Sequence, residues 1–270
     1  YVYAVNPDGT QLWRANVGSS HPYDPNIDPQ GRVHVTTWTQ TGIGSYFCVN
    51  PDGSRAWSGQ GIGSPVLLPN GSTVLQSGNC FRCYDSGGNT VWNTNYYGGP
   101  QGPIVAGNGD LYAASYNAEV WKIDPTAGDK LQTIDTGRYD LKALSIDDDA
   151  QRIYVSGDTV LQSYDLDGGL QWTYPGTGGR SGAALIDAAG NLLVAQGQVG
   201  NGIDYISSSG ILLWHIAADE PSHHFGMPTV GPGNVVYATN WTYNGSSGYL
   251  YAIVPEPSTL ELLVATALGL

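Results

Sequence analysis

The chain is poor in charged residues, and most of those it has are acidic. Only 12% of its 270 residues are charged, with 10 Lys and Arg against 23 Asp and Glu, which gives a formal net charge of −13. The sequence contains no visible cluster of Lys or Arg. Nucleic acids and anionic membrane surfaces would repel such a chain, so neither is an expected partner.

The sequence also lacks sustained 3.6-residue periodicity, so no helix is predicted ahead of its last residues. The motifs His-Glu-x-x-His and Gly-x-Ser-x-Gly are absent, and no catalytic residue is assigned. The 38 glycines and 11% aromatic residues instead fit a turn-rich, all-β protein.

Cysteines are few: Cys48, Cys80 and Cys83. Cys80 and Cys83 have the spacing of half a zinc or redox site, but they lie on a predicted strand, where residues three apart point to opposite faces. No second cysteine pair or nearby histidine supplies the remaining ligands. We therefore expect ordinary strand cysteines and no metal site.

One phrase occurs six times: a short apolar strand, a polar turn ending in glycine and, in most copies, a tryptophan four residues later. The turn glycines are 44, 35, 40, 40 and 42 residues apart, at Gly9, Gly53, Gly88, Gly128, Gly168 and Gly210. The tryptophans are Trp13, Trp57, Trp92, Trp172 and Trp214. The fourth copy has Gln132 in place of tryptophan. A period near forty built from short strands is typical of a repeat array.

A second turn signal lies between successive copies of the phrase. Glycine separates two apolar runs at Gly31, Gly71, Gly109, Gly190 and Gly233, and the acidic turn Asp147–Ala150 replaces it in the remaining period. Asn-Gly and Asp-Gly in such places indicate tight hairpins, because both residues tolerate a positive φ. Two hairpins per period predict the four-stranded antiparallel blade of a β-propeller. We expect the tryptophans to pack between neighbouring blades.

The repeated phrase, as in Tyr3-Ala4-Val5-Asn6-Pro7-Asp8-Gly9 with Trp13, resembles the PQQ-like propeller repeat. This repeat is found in quinoprotein dehydrogenases and in the periplasmic lipoprotein that assists outer-membrane assembly. The resemblance covers residues 1–254 and implies one propeller domain there, although enzymes and binding scaffolds both use this blade. The quinoprotein enzymes carry an adjacent cysteine pair beside quinone and calcium. No Cys-Cys dipeptide exists here, so neither PQQ nor Ca²⁺ is expected as a cofactor.

The number of blades is predicted as six to seven. Tyr249–Ile253 repeats the opening Tyr1–Val5, so the chain begins and ends at the same point of the cycle. Six blades closed by strands from both termini fit this pattern, as do seven blades with a partly missing first one. The chain opens in mid-strand without a methionine, which we interpret as the mark of a fragment.

Residues 255–270 form a separate segment. Pro255-Glu256-Pro257 and the short apolar run after it resemble the PEP-CTERM sorting signal of Gram-negative bacteria, which implies exosortase processing and export to the periplasm, cell surface or extracellular matrix. The run is shorter than the roughly twenty residues of a membrane-spanning helix. We therefore expect a truncated signal, with an apolar helix packed on the propeller as the alternative.

The loops that join one blade to the next are expected to share one face, and such faces commonly bind ligands. The candidate ligand- or partner-binding residues on these loops are His21, Tyr23, Tyr97, Arg138, Tyr139, Arg180, His223 and His224. His215 is expected near the same face. A solvated surface without a binding role is the alternative.

The sequence thus predicts an exported, non-catalytic propeller scaffold that binds a protein partner or extracellular polysaccharide at the bacterial surface. The alternative is an enzyme, either a degenerate quinoprotein dehydrogenase or a propeller polysaccharide lyase or hydrolase. A purely structural matrix role is a third hypothesis. Binding predicts exposed aromatic residues, whereas catalysis predicts an acid–base pair within hydrogen-bond reach.

Overall fold

The computed structural model describes residues 1–18, 21–38, 44–94, 104–115, 117–138, 141, 143–157, 160–175, 182–196, 202–217, 223–226, 228–231, 235–242 and 248–253. Within these ranges every regular element is a β-strand. The chain divides into two units, Tyr1–Gly137 and Arg138–Leu270. No helix in the described ranges is long and apolar enough to cross a membrane.

The first unit begins with a two-stranded sheet, followed by three larger antiparallel sheets. Its strands are β1 (Val2–Val5), β2 (Gln11–Ala15), β3 (His21–Pro22), β4 (Asn26–Ile27), β5 (Val33–Trp38), β6 (Ser45–Val49), β7 (Arg55–Gln60), β8 (Ile62–Leu67), β9 (Thr73–Ser77), β10 (Cys80–Tyr84), β11 (Thr90–Asn93), β12 (Ile104–Val105), β13 (Leu111–Ala114), β14 (Glu119–Ile123) and β15 (Lys130–Asp135). Strands β1 and β2 pair with each other, and β8–β11 and β12–β15 form four-stranded meanders. In the remaining sheet, β3 and β4 both pair with β5, which continues to β6 and β7.

The second unit repeats this organisation. Its strands are β16 (Ala143–Asp147), β17 (Arg152–Ser156), β18 (Val160–Asp165), β19 (Leu170–Pro175), β20 (Leu185–Ile186), β21 (Leu192–Ala195), β22 (Gly202–Ile206), β23 (Leu212–Ala217), β24 (His223–Phe225), β25 (Thr229–Val230), β26 (Val236–Thr242) and β27 (Gly248–Ile253). Strands β16–β19 and β20–β23 form four-stranded meanders, while β24 and β25 both pair with β26, which pairs with β27. The predicted all-β class and the four-stranded antiparallel sheets are confirmed, whereas the number of blades stays a prediction.

The turn between the third and fourth strands explains the repeated phrase. In the first copy, the Gly9 amide donates to the carbonyl of Asn6 (2.9 Å). The Asp8 carboxylate accepts from the amide (2.9 Å) and the hydroxyl (2.6 Å) of Thr10. Gly9 has φ 84°, and the strand register shifts between Ala4 and Val5. This is a three-residue loop closed by a bulge, a hairpin that needs a left-handed residue at the glycine.

The acidic turn Asp147–Ala150 forms the missing hairpin in a different way. The Asp147 carboxylate accepts a hydrogen bond from the Ala150 amide (2.9 Å). The left-handed residue is Gln151, with φ 53°, and no glycine is used. The sequence therefore located this turn but did not predict which residue adopts the unusual backbone conformation.

Several inner strands are buried on both faces, and the fourth strands are not. Strands β13 and β21 are buried throughout, whereas β19 and β23 alternate between exposed and half-buried residues. A fourth strand pairs on one side only, so one of its edges and much of one face remain in solvent. The buried residues between adjacent sheets form the core of each unit.

The tryptophans of four fourth strands, Trp13, Trp57, Trp92 and Trp172, lie on the turn of the following sheet. Trp13 Nε1 donates to the carbonyl of Pro51 (2.7 Å), Trp92 Nε1 to that of Pro125 (3.0 Å), and Trp172 Nε1 to that of Ser208 (2.9 Å). A Cβ placed on the turn glycine would lie within 3.0 Å of the indole at Gly53, Gly88, Gly128 and Gly210. Each of these four turn glycines thus leaves the space that the tryptophan of the preceding sheet occupies.

Trp214, in the last copy, packs against a different set of partners. Its indole stacks on Tyr205, with ring centroids 5.0 Å apart. It also packs against the buried cluster that contains Phe225 and Ile253 in the following sheet. The residues that follow β27 lie outside the described ranges, and these include Pro255, Glu256 and Pro257 of the predicted sorting signal.

Candidate functional site

The structure places His21 and the pair His223–His224 on strands, so their prediction as loop residues is wrong. His21 belongs to β3 and pairs with Trp38 on β5. His223 and His224 belong to β24, opposite Thr242 and Trp241. Each of these two segments pairs with the second strand of its sheet, β5 or β26. This pairing gives hydrogen-bond partners to their backbone amides.

Two other candidate residues lie within the described part of the chain. Tyr23 follows β3, has an exposed side chain, and donates its amide to the carbonyl of Thr36 (2.9 Å). Trp38, opposite His21, is also exposed. Arg138 lies after β15, outside any strand. Tyr97, Tyr139 and Arg180 lie outside the described residues, so the roles of all eight candidates stay predictions.

A polar cluster in the second unit forms around Asp204 on β22. Its carboxylate accepts hydrogen bonds from His215 Nδ1 (2.7 Å), from the Tyr174 hydroxyl (3.1 Å) and from the Gln196 amide. Asp204 and His215 face each other across β22 and β23, while Tyr174 comes from β19 of the preceding sheet. The cluster therefore joins two neighbouring sheets of this unit.

The cluster combines a buried acid with a histidine that reaches solvent. The Asp204 side chain is 3% exposed, whereas that of His215 is 37% exposed. A buried carboxylate is costly unless several donors compensate it, and three donors converge on this one. The carboxylate accepts from Nδ1 and so orients the imidazole, and the His215 side chain stays partly in solvent. Such a histidine can form a directed hydrogen bond with a bound partner.

No other copy of the repeat has an acid and a histidine at these two positions. The equivalent cross-strand pairs are Tyr3 and Arg14, Phe47 and Ser58, Arg82 and Asn93, Trp121 and Thr133, and Gln162 and Thr173. From the sequence, His215 was expected near the binding face, whereas Asp204, Gln196 and Tyr174 were not predicted as site residues. The hairpin register was the available signal, because it pairs the residue before Tyr205 with the residue after Trp214.

A second polar cluster, in the first unit, is buried. His34 Nε2 lies 3.1 Å from Asp28 Oδ2, and its Nδ1 contacts the Tyr46 hydroxyl. Arg32 Nε donates to Asp28 Oδ2 (2.7 Å), and Thr73 of the next sheet approaches His34 Nδ1 at 3.4 Å. His34 and Tyr46 are almost completely inaccessible to solvent. The cluster joins two sheets from within and offers no surface to a ligand.

Burial governs the protonation of this second cluster. It lowers the pKa of His34, although the hydrogen bond to Asp28 acts in the opposite direction. Burial alone would raise the pKa of Asp28, but hydrogen bonds from His34 and Arg32 outweigh it and lower this pKa. The folded protein therefore favours a neutral His34 beside an ionised Asp28 that pairs with Arg32.

The three cysteines are free thiols on strands, as the sequence predicted for Cys80 and Cys83. Burial raises the pKa of Cys48 and of Cys83 to about 11. Because the thiolate is the nucleophile and the metal ligand, both thiols are unreactive at neutral pH. Within the described ranges no three His, Cys, Asp or Glu residues come together as a potential metal site.

Comparison with known families identifies the repeat. The family model PQQ_2, described as "Outer membrane protein assembly factor BamB", matches residues 77–253, which is more than half of the chain. The chain belongs to this BamB family. The sequence prediction of a PQQ-like repeat protein is thereby confirmed. No curated protein sequence matches the chain.

Solved structures agree with the family at the level of the fold. BamB from Moraxella catarrhalis superposes with a TM-score of 0.68 at 13% identity, covering 91% of this chain and 86% of that one. A protein of unknown function from Bacteroides caccae gives a TM-score of 0.57 at 12% identity, with 92% and 94% coverage. At such low identities the likeness concerns the fold alone. The chain therefore has the propeller fold of the BamB family, whereas the Asp204–His215 pair is described here for this chain only.

Proposed function

We propose that this protein is a non-catalytic propeller scaffold that binds a protein partner in the envelope of a Gram-negative-type bacterium. The family match over residues 77–253 carries the proposal, because the family is described as an outer membrane protein assembly factor. The partner would be a protein engaged in that assembly. Fold alone would not suffice for this step, since propellers serve many functions.

The distribution of polar and apolar side chains supports a binding role. The buried polar cluster around His34 is enclosed within the first unit, where no substrate can reach it. Large apolar side chains such as Leu212 and Leu213 of the fourth strand β23 are instead exposed. Exposed apolar residues at strand edges are typical of surfaces that meet other proteins.

Polysaccharide binding is the second candidate, and the exposed aromatic residues Tyr23 and Trp38 beside β3 favour it. Under either candidate we propose that Pro255-Glu256-Pro257 begins a sorting signal. An exosortase-type enzyme would process this signal, and the protein would act in the periplasm, at the cell surface or in the matrix. We propose no cofactor, PQQ and Ca²⁺ included.

The proposal is tested by deleting the gene in the source bacterium and restoring it on a plasmid. We expect the deletion to lower the amount of folded outer-membrane β-barrel proteins, measured by the heat-dependent mobility of these proteins on gels. The plasmid copy should restore it. A parallel titration of the purified protein with PQQ plus Ca²⁺, followed by a dye-reduction assay, should show no activity.

Other results would select another function. Unchanged barrel proteins together with saturable binding to one of a panel of bacterial polysaccharides would favour the second candidate, and loss of that binding in Tyr23→Ala would place the site. Stoichiometric quinone binding with dye reduction would instead identify a quinoprotein dehydrogenase. Cleavage of a polysaccharide would identify a lyase or hydrolase.

A further inference from the structure

The fourth strands β2, β7, β11, β15, β19 and β23 are edge strands, since each pairs with only one neighbour among the described residues. An edge strand offers unpaired backbone amides and carbonyls to any other extended chain. Proteins commonly protect such edges with charged side chains, proline, a short strand or a β-bulge. A β-bulge lies in the hairpin of all six fourth strands, so these edges are compared for charge, proline and length alone.

Five of the six edges have such a feature. Strands β2, β7 and β15 contain a basic residue, namely Arg14, Arg55 and Lys130. Strand β19 ends in Pro175, and β11 is only four residues long. These features discourage pairing with a second strand.

Strand β23 has none of them. It is six residues long, Leu-Leu-Trp-His-Ile-Ala, without proline or a formally charged residue. Its first two residues are exposed, Leu212 to 44% and Leu213 to 48%, as is the preceding Ile211, to 64%. His215, which Asp204 orients, follows on the same side of the strand as Leu213. An apolar edge of this kind would favour aggregation unless another chain covers it.

The sequence on either side of β23 indicates what kind of chain would cover it. From Ser181 to Ile253 it contains no lysine or arginine and, besides the buried Asp204, three acidic residues: Asp187, Asp219 and Glu220. An acidic partner would be repelled, whereas basic side chains would be attracted. Leu213 would take the apolar side chains from one face of an added strand, because alternate residues of that strand point to the same face.

We propose that β23 is a docking edge for an extended strand of a partner protein in which apolar and basic residues alternate. The added strand would pair with the backbone of Leu212–Ala217 and extend the sheet β20–β23 by one strand. Its apolar side chains would cover Leu213, and His215 would lie at the margin of the contact. The inference rests on the proposed scaffold function and assigns it a site and a class of partner.

The test uses a fluorescein-labelled peptide of about ten residues, the upper end of ordinary strand length, with alternating Val and Lys. A Val-Glu peptide tests the charge requirement, and a Val-Lys peptide methylated on alternate backbone nitrogens tests the hydrogen bonds. Binding to the full chain is measured by fluorescence anisotropy. Hydrogen exchange with and without the peptide reports which amides become protected.

Leu213→Lys is the diagnostic variant, because it places a charge on the edge and repels a basic strand. Leu131→Lys on β15 is the matched control, since Leu131 is exposed to 57% on a fourth strand that already contains Lys130. We expect Leu213→Lys to weaken binding by roughly tenfold or more. We expect Leu131→Lys to leave it unchanged. Circular dichroism and thermal melting check that both variants fold.

Saturable binding of the Val-Lys peptide, with protection of the β23 amides and loss in Leu213→Lys only, would support the proposal. Absence of binding, equal binding of the Val-Glu or methylated peptides, or equal effects of both variants would overturn it. The plasmid assay separates this result from the proposed function. If the deletion lowers folded barrel proteins and a Leu213→Lys copy restores them fully, the scaffold function stands and the docking edge is rejected. If the deletion has no effect, the scaffold function itself fails, whatever the peptide does.

Discussion

At the scale of single residues, the two histidine–aspartate pairs have opposite environments. His34 is buried with Asp28 and Arg32 inside the first unit, so its proton cannot be exchanged without disturbing the core. His215 is held by a buried Asp204 but remains partly in solvent. The same two residue types therefore form a buried structural pair in one sheet and a partly accessible polar pair in another. The difference is burial, because burial disfavours the charged form of a side chain.

The His34 cluster predicts that acid destabilises the protein. The pKa of His34 is lower in the folded protein than in the unfolded chain, where it is about 6.5. As the pH falls below that value, the unfolded chain therefore binds more protons than the folded one. Stability is therefore complete above that pH and is lost as the pH falls toward the folded pKa. The lowered pKa of Asp28 acts in the same direction, but only below about 3.8.

We expect His34→Gln to be less stable than the natural protein at pH 7.5 but to lose less further stability between pH 7.5 and 5. Glutamine keeps an amide for hydrogen bonding and has no proton to gain. Urea unfolding at several pH values, followed by tryptophan fluorescence, measures both curves. Parallel curves for the two proteins would show that His34 does not titrate on unfolding.

At the scale of elements, the unit that recurs is a hairpin turn together with the tryptophan of the preceding sheet. The turn glycine has two roles, since it adopts a positive φ and leaves room for an indole ring. Gly53 and Gly71 separate these roles. Both have φ above 80°, but a Cβ on Gly53 would lie 2.9 Å from the Trp13 ring, whereas a Cβ on Gly71 would have no neighbour within 4 Å.

We expect Gly71→Ala to lower the free energy of unfolding by about 1–2 kcal/mol, which is the cost of holding a residue with a Cβ in the left-handed conformation. Gly53→Ala should cost at least about 1 kcal/mol more, because the added methyl overlaps the indole of Trp13. Both residues lie in the first unit, so chemical denaturation compares them directly. Equal losses would mean that the tryptophan moves aside at no cost and that the glycine serves the turn only.

At the scale of the whole molecule, the repeat and the family agree with each other, since the chain belongs to the BamB family. Its net charge of −13 would repel another polyanion such as nucleic acid. The segment from Pro255 onward departs from the repeat in composition, which is why we treat it as a sorting signal and not as part of the last sheet. This division at residue 254 remains a proposal.

The sorting-signal proposal makes a prediction for the complete protein in its own bacterium. Replacing Pro255, Glu256 and Pro257 by alanine should block processing, because the processing enzyme would no longer recognise its site. Intact-mass measurement of the protein recovered from cell fractions should show a heavier, unprocessed chain that remains in the membrane fraction. The same mass and location for the natural and altered chains would contradict the proposal.

Much of the fold follows from local rules. The positions of the turn glycines, the two hairpins per period and the strand cysteines are local properties, because turn chemistry and a two-residue side-chain period act over a few residues. The strand positions of His21 and of His223–His224 are not, since their pairing depends on a second strand distant in the sequence. The left-handed Gln151 was likewise not predictable from residue preference, which favours glycine.

The sequence alone determined that this protein is an array of four-stranded antiparallel sheets of PQQ-like type, because periodicity and turn residues are written in the chain itself. Only the tertiary structure decided which side chains of different strands meet. It brought Tyr174, Gln196 and His215 to Asp204, and it left the apolar edge of β23 without the charge, proline or short length that protect the other fourth strands. The physical reason is that burial, hydrogen-bond partners and free edges belong to the packing of sheets and not to any single repeat.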